Sequence, residues 1–147
     1  MQAAAQSPAE LGSDLARHLE DGRLKQFVTW RALELRRRRG TLFRDGGYVP
    51  LSIGGEHADH VCAFARVHKS EWAVAIASRL ACTLLGGEEV LPVGEVCGDT
   101  YVDVASLDGS AAEDVLTGTG VRATGGRMRL AELLARLPVA LLASGRS

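Results

Sequence analysis

The sequence predicts an α+β fold, with N-terminal helices followed by a small antiparallel β-sandwich. Three observations predict it. Composition changes once, near residue 40, from a stretch rich in Leu, Arg and Glu to Gly-bounded segments of Val, Ala, Ile and Thr. Those later segments are short and separated by turn residues, the pattern of an antiparallel sandwich. A chain of 147 residues, 46% hydrophobic and 24% charged, has the balance of one soluble globular unit. The division is a helical segment over 1–45 and a β-domain over 46–147.

The helices come first. Ser7-Pro8-Ala9-Glu10 opens a helix, with Ser7 as N-cap, Pro8 in the first turn and Glu10 reaching back. Leu11, Leu15 and Leu19 recur every four residues, and Asp21-Gly22 ends the segment. A second helix is predicted from Arg23 to Arg39, opened by Asp21 and stopped by Gly40. Leu24, Phe27, Val28 and Leu35 form one stripe on it, and Trp30 and Leu33 lie nearly opposite. A helix on a single core needs one stripe; two predict a helix clamped between two bodies. Arg36 to Arg39 complement the macrodipole at its C-terminus and read as solvated rather than as a nucleic-acid patch.

The strands follow. Tyr48 to Ile53 is a first strand, with Pro50 favouring an edge. His60 to Val67 and Trp72 to Arg79 flank the turn residues His68-Lys69-Ser70-Glu71 and predict a hairpin. Trp72, Val74 and Ile76 share one face of the second strand and Ala73, Ala75 and Ala77 the other, which suits a central strand covered on both sides. Asp99 to Val104 alternates, with Thr100, Val102 and Val104 inward. Asp114 to Thr117 is a further short strand, and Met128 to Arg136 reads as a helix with Leu130, Leu133, Leu134 and Leu137 on one face. Pro138 halts it, and Val139 to Leu142 closes the fold.

Composition excludes several classes. Lys plus Arg is 17 and Asp plus Glu 18, a formal net charge of -1, so nothing drives the chain toward nucleic acid or an anionic membrane. No apolar run approaches the roughly 18–20 residues a bilayer span needs. Met1-Gln2-Ala3-Ala4-Ala5 has neither the basic nor the apolar region of a secretory signal, which predicts a cytoplasmic protein. Cys62, Cys82 and Cys97 are odd in number and widely spaced, so they read as reduced thiols. A complete β/α-barrel enzyme needs more than about 200 residues and is excluded by length.

No convincing active site appears. Sugar-bond chemistry needs an acid and a carboxylate flanking one glycosidic bond. Here Glu88-Glu89, Asp99, Asp103, Asp108, Glu113 and Asp114 are scattered over loops and strand faces. His57, His60 and Cys62 could be imagined around zinc, but no paired downstream cluster completes a structural spacing, and a buried or rim histidine is the ordinary alternative. If Cys62 points inward with Phe64, His60 shares that face. Gly118-Thr119-Gly120 is too short for a nucleotide loop, and no Ser-His-Asp set, GxSxG or Walker loop exists. Trp30 and Trp72 read as core anchors rather than a sugar platform. Catalytic, cofactor and metal residues are therefore all predicted to be none.

Five ordered blocks nevertheless resemble one family. Asp21-Gly22-Arg23-Leu24-Lys25-Gln26-Phe27-Val28-Thr29-Trp30-Arg31-Ala32-Leu33, continuing through Leu35-Arg36 and Leu42-Phe43, resembles the last barrel helix of malto-oligosyltrehalose synthases. Gly47-Tyr48-Val49-Pro50-Leu51 and Glu56 to Arg66 resemble the segments that follow it, as does Leu91 to Thr100, where the family commonly has Trp in place of Cys97. Asp114 to Gly118 and Leu130 to Leu142 complete the match, which covers nearly the whole chain after about Ser13.

The resemblance implies the α-amylase superfamily and a β-domain of its C-terminal type, with the helical segment the end of a β/α barrel. Such enzymes, isomerases of trehalose biosynthesis, convert the reducing-end α-1,4 bond of a maltodextrin into an α,α-1,1 bond without net hydrolysis. Their Asp nucleophile, Glu acid/base and second Asp sit on barrel loops preceding the part represented here, so no residue of this sequence inherits a catalytic role. The expectation is a non-catalytic C-terminal portion, inactive alone. Its expected partners are a separate barrel chain or a second copy, bound through Leu24, Phe27, Val28 and Leu35. A free-standing carbohydrate-binding or protein-interaction β-sandwich is the alternative.

Overall fold

The computed structural model describes Glu10, Asp14 and residues 22–79, 97–107, 109 and 111–145. The predicted first helix, Glu10 and Asp14 apart, and Cys82, Glu88-Glu89, Leu91–Val96 and Asp108 lie outside the described residues. Helix α1 runs Arg23–Arg38 behind Gly22, whose φ of 72° places it in the left-handed region. Gly40 does not stop the helical segment as predicted. Arg39, at φ −115° and ψ 43°, breaks the helix, and α2 (Gly40–Asp45) starts at once in a new direction.

The strands are β1 (Gly47–Pro50), β2 (Ile53–Gly54), β3 (Val61–His68), β4 (Glu71–Ser78), β5 (Tyr101–Asp103), β6 (Ala111–Asp114), β7 (Thr119–Arg122), β8 (Arg127–Arg129) and β9 (Val139–Ser144). A 3-10 turn (Ala58–His60) precedes β3, and the four-residue α3 (Leu130–Leu133) follows β8. One sheet has the order β1-β3-β4-β9-β6-β7 and the other β2-β5-β8, and all their pairings are antiparallel.

Three differences from the sequence reading have physical causes. The first predicted strand splits at Leu51-Ser52: Leu51 N–H still bonds Ala63 in the large sheet, while the Ser52 carbonyl accepts from Asp103 N–H in the small one. The predicted strand at Asp114–Thr117 is a turn, and the strand is the preceding Ala111–Asp114. The Asp114 carboxylate curls the chain there by accepting from Leu116 N–H at 3.0 Å and the Thr117 hydroxyl at 3.2 Å. The predicted helix from Met128 shrinks because Met128 pairs with Val102 and Arg129 with Tyr101, so sheet pairing overrides helical spacing. Leu130, Leu133, Leu134 and Leu137 are nonetheless all buried.

The core lies between the two sheets. Val61, Ala63, Ala65, Trp72, Val74 and Ile76 of the large sheet meet Val102 and Met128 of the small one, with Leu130 and Leu134 closing an end. On β9, Ala140 and Leu142 join this core, while Leu141 and Ala143 face the other way, toward the helices. The small side chains there, Ala73 on β4 and Ala143 on β9, let α1 and α2 sit close to the sheet. Three layers result, in the order small sheet, large sheet and helices.

Candidate functional site

Helix α1 has the two faces its sequence predicts, but their roles differ from those assigned. Phe27 packs on Leu116 and Leu137, with Leu24 and Val28 beside it, and Leu35 packs on Ala73, Val115 and Ala143. The stripe expected to bind a partner is therefore covered by this chain's own sheet. The opposite face is open: Trp30 is 57% and Leu33 55% exposed. Trp30 is thus no core anchor, whereas Trp72, at 1%, is. Trp30, Leu33, Glu34 and Arg37 line a shallow depression of about 380 Å³.

That face is held from beneath. Arg31 Nε donates to the Val115 carbonyl at 2.8 Å, its Nη1 pairs with Glu34 at 2.8 Å, and its guanidinium lies 5.7 Å from the Trp30 ring centroid. Arg39 anchors the helix end, donating to the Ser144 carbonyl at 2.8 Å with Glu71 at 3.5 Å. Only part of the basic run is therefore solvated: Arg36 to Arg38 are exposed, and Arg39 is a structural clamp that the run itself concealed.

Beside the C-terminal half of α1 lies a second feature, a groove of about 600 Å³ over the outer face of β6, β7 and β9. Arg38 and Glu113 border it, and Val115 and Ala143 give it an aliphatic floor. Gly118 and Gly120, of the Gly118-Thr119-Gly120 segment read as a bare turn, form one wall.

The carboxylates singled out in the sequence serve local structure. Asp99 Oδ1 accepts from Glu56 N–H at 2.9 Å and Asp103 Oδ1 from Ala105 N–H at 2.9 Å. Asp114, 3% exposed, also accepts from Leu141 N–H at 3.3 Å. Burial pushes its pKa above the ordinary value, against the lowering effect of Leu116, Leu141 and Thr117. Glu113, by contrast, is exposed at the groove.

His57 and His60 have ring centroids 6.0 Å apart, and His57 Nε2 is 3.9 Å from Glu56 Oε2. Cys62 does not point inward as considered. Val61, Ala63 and Ala65 take the core side of β3, leaving Cys62 exposed on the outer face. No group of three potential metal ligands exists among the described residues. Cys97 is buried in the core, which pushes its thiol pKa up. No helix among the described residues is long and apolar enough to cross a membrane.

No protein-family model and no curated protein matches the sequence. Among solved structures, a maltooligosyltrehalose synthase from Arthrobacter ramosus is 38% identical with a TM-score of 0.59. The match covers 78% of this chain and 13% of that one, so the matched residues correspond to a small part of the synthase. A noncanonic maltogenic α-amylase from Thermotoga neapolitana is 10% identical with a TM-score of 0.37, covering 73% of this chain and 20% of that one, a likeness too slight to carry an argument. An identity of 38% over most of the chain, on a sandwich preceded by a two-faced helix, places this protein in the maltooligosyltrehalose synthase family, corresponding to its C-terminal region.

Proposed function

We propose that these residues are the non-catalytic C-terminal part of a maltooligosyltrehalose synthase, and that α1 docks through Trp30 and Leu33 on the catalytic β/α barrel. The barrel, in polypeptide outside this sequence, supplies the carboxylates that rearrange the end of a maltodextrin. The observation that carries this reading is the pair of large apolar side chains, each more than half exposed, on a helix whose other face is already buried. A monomeric surface seldom leaves such side chains together without use. Covering the exposed part of each one is worth about 1–1.5 kcal/mol. The reading includes a cytoplasmic location, consistent with Cys62 and Cys97 as free thiols.

Incubation with maltohexaose tests it. The chain alone leaves the reducing ends unchanged. It binds a separately supplied barrel polypeptide, and Trp30→Ser weakens that association by roughly tenfold or more, the factor that corresponds to about 1.4 kcal/mol. Turnover by the chain alone, or association indifferent to Trp30→Ser, overturns the proposal.

A further inference from the structure

The groove beside α1 has a lining whose chemistry selects among ligands. Arg39 donates from Nη2 to the Ser144 carbonyl, and its Nη1, which makes no hydrogen bond, lies 3.5 Å from the Glu71 carboxylate that offsets its charge. Arg38 and Glu113 remain, one cation and one anion, and neither makes an ion pair among the described residues. A lining balanced in this way does not concentrate anions or cations. It offers a planar fork of donors on one side and a carboxylate acceptor on the other, above an aliphatic floor of Val115 and Ala143. Among the described residues strand β7 pairs only with β6.

Glycine keeps the space open. A Cβ at Gly120 would meet nothing within 4 Å, so the strand passes the groove with no side chain filling it. The volume, about 600 Å³, falls in the range of small-ligand sites.

We propose that this groove binds a short neutral glucan, with Glu113 and Arg38 taking its hydroxyls and the aliphatic floor its C–H faces. An uncharged ligand carrying donors and acceptors around an apolar ring face is what a charge-balanced, half-apolar groove complements. The choice of a glucan rests on the reading of this chain as part of a maltodextrin-acting enzyme.

Isotope-edited NMR of the full chain, titrated with maltotriose, tests it. Saturable shifts are expected over residues 111–120 and 143–145, with a dissociation constant on the order of 1 mM because no aromatic ring lines the groove. Gly120→Trp fills the open space and Glu113→Gln removes the ionised acceptor. Each weakens binding at least severalfold, with spectral dispersion reporting that the variant is folded. Three results overturn the proposal: no saturable shift at tens of millimolar maltotriose, saturation unchanged in both variants, or displacement of maltotriose by inorganic phosphate. Association with the barrel is a separate readout. Gly120→Trp leaves it intact and Trp30→Ser leaves the maltotriose titration intact, so either proposal can fail without the other.

Discussion

Replacing Asp114 by Ala is the sharpest test of how the sheet holds the helix layer. Its Oδ1 accepts from Leu116 N–H and Leu141 N–H, and Oδ2 from the Thr117 hydroxyl. Leu116 is fully buried and Leu141 half-buried, so Ala orphans two backbone donors with little access to water. An orphaned buried donor costs about 1–3 kcal/mol, so the pair costs roughly 2–4 kcal/mol with the half-buried one discounted. Against a slope of about 1–3 kcal/mol per molar urea, the midpoint falls by on the order of 1–2 M. Asn keeps a carbonyl oxygen for both donors and turns an amide toward Thr117, so Asp114→Asn stays within about 1 kcal/mol of the parent at neutral pH. The pH dependence separates charge from geometry. Burial raises the folded-state pKa of Asp114, so as pH falls the folded protein takes up this proton before the unfolded chain does. Its contribution to stability is therefore complete below the unfolded value and is lost as pH rises through the raised folded value. The parent should gain on Asp114→Asn as pH is lowered through that window. Urea melts of the parent and both variants at neutral and mildly acidic pH measure this. A small loss for Asp114→Ala, or a loss for Asp114→Asn as large as for Ala, refutes the acceptor account.

Three other outcomes are expected. Gly46→Ala drives its methyl into the Leu42 carbonyl oxygen at the end of α2, with the Val67 carbonyl 3.0 Å away; because both are backbone, stability falls by about 1–3 kcal/mol in a thermal melt. Alkylation with iodoacetamide, mapped by mass spectrometry, labels exposed Cys62 in the native protein and buried Cys97 only after denaturation; equal labelling would contradict the core position of Cys97. Arg31→Met removes the link from the Val115 carbonyl to Glu34 and the Trp30 ring, lowering stability by about 1–2 kcal/mol and raising the mobility of Trp30. Fluorescence anisotropy decay in a Trp72→Phe background reads that mobility, and an unchanged decay would show that Arg31 does not hold the ring.

The fold was legible where side-chain alternation and packing agree. On β4, Trp72, Val74 and Ile76 alternate with alanines, and the hairpin forms where expected, tightened to a two-residue turn in which Lys69 takes a φ of 56°. Met128 was misread because its leucine neighbours fit a helical period as well as a buried corner, and only the partner strand β5 decides between them. Strand β7 was missed because Thr-Gly-Val-Arg carries a turn's glycine and pairs through backbone alone. The groove was invisible for a related reason: it is made by side chains that are absent at Gly118 and Gly120. Sequence patterns report what a residue brings, and they carry little about a space left open.

The two stripes of α1 show how such an ambiguity resolves. By composition alone, Phe27 with Leu35 and Trp30 with Leu33 are equally good candidates for the inner face. The choice is made by the receiving surface. Ala73 and Ala143 leave a shallow seat that admits Leu35, and Leu116, carried on the turn that Asp114 closes, walls in Phe27. The same turn presents the Val115 carbonyl that fixes Arg31, and Arg31 in turn lies beside Trp30 and pairs with Glu34. A buried carboxylate in the sheet is thus linked, through the Val115 carbonyl and Arg31, to an exposed tryptophan on the far side of the helix. A ring already held in place forfeits less side-chain freedom on association, which is worth about 0.5–1.5 kcal/mol for a side chain that would otherwise have to be immobilised. In the proposed docking the sheet would hold the helix in a ready conformation, and Trp30 and Leu33 would make the contact itself.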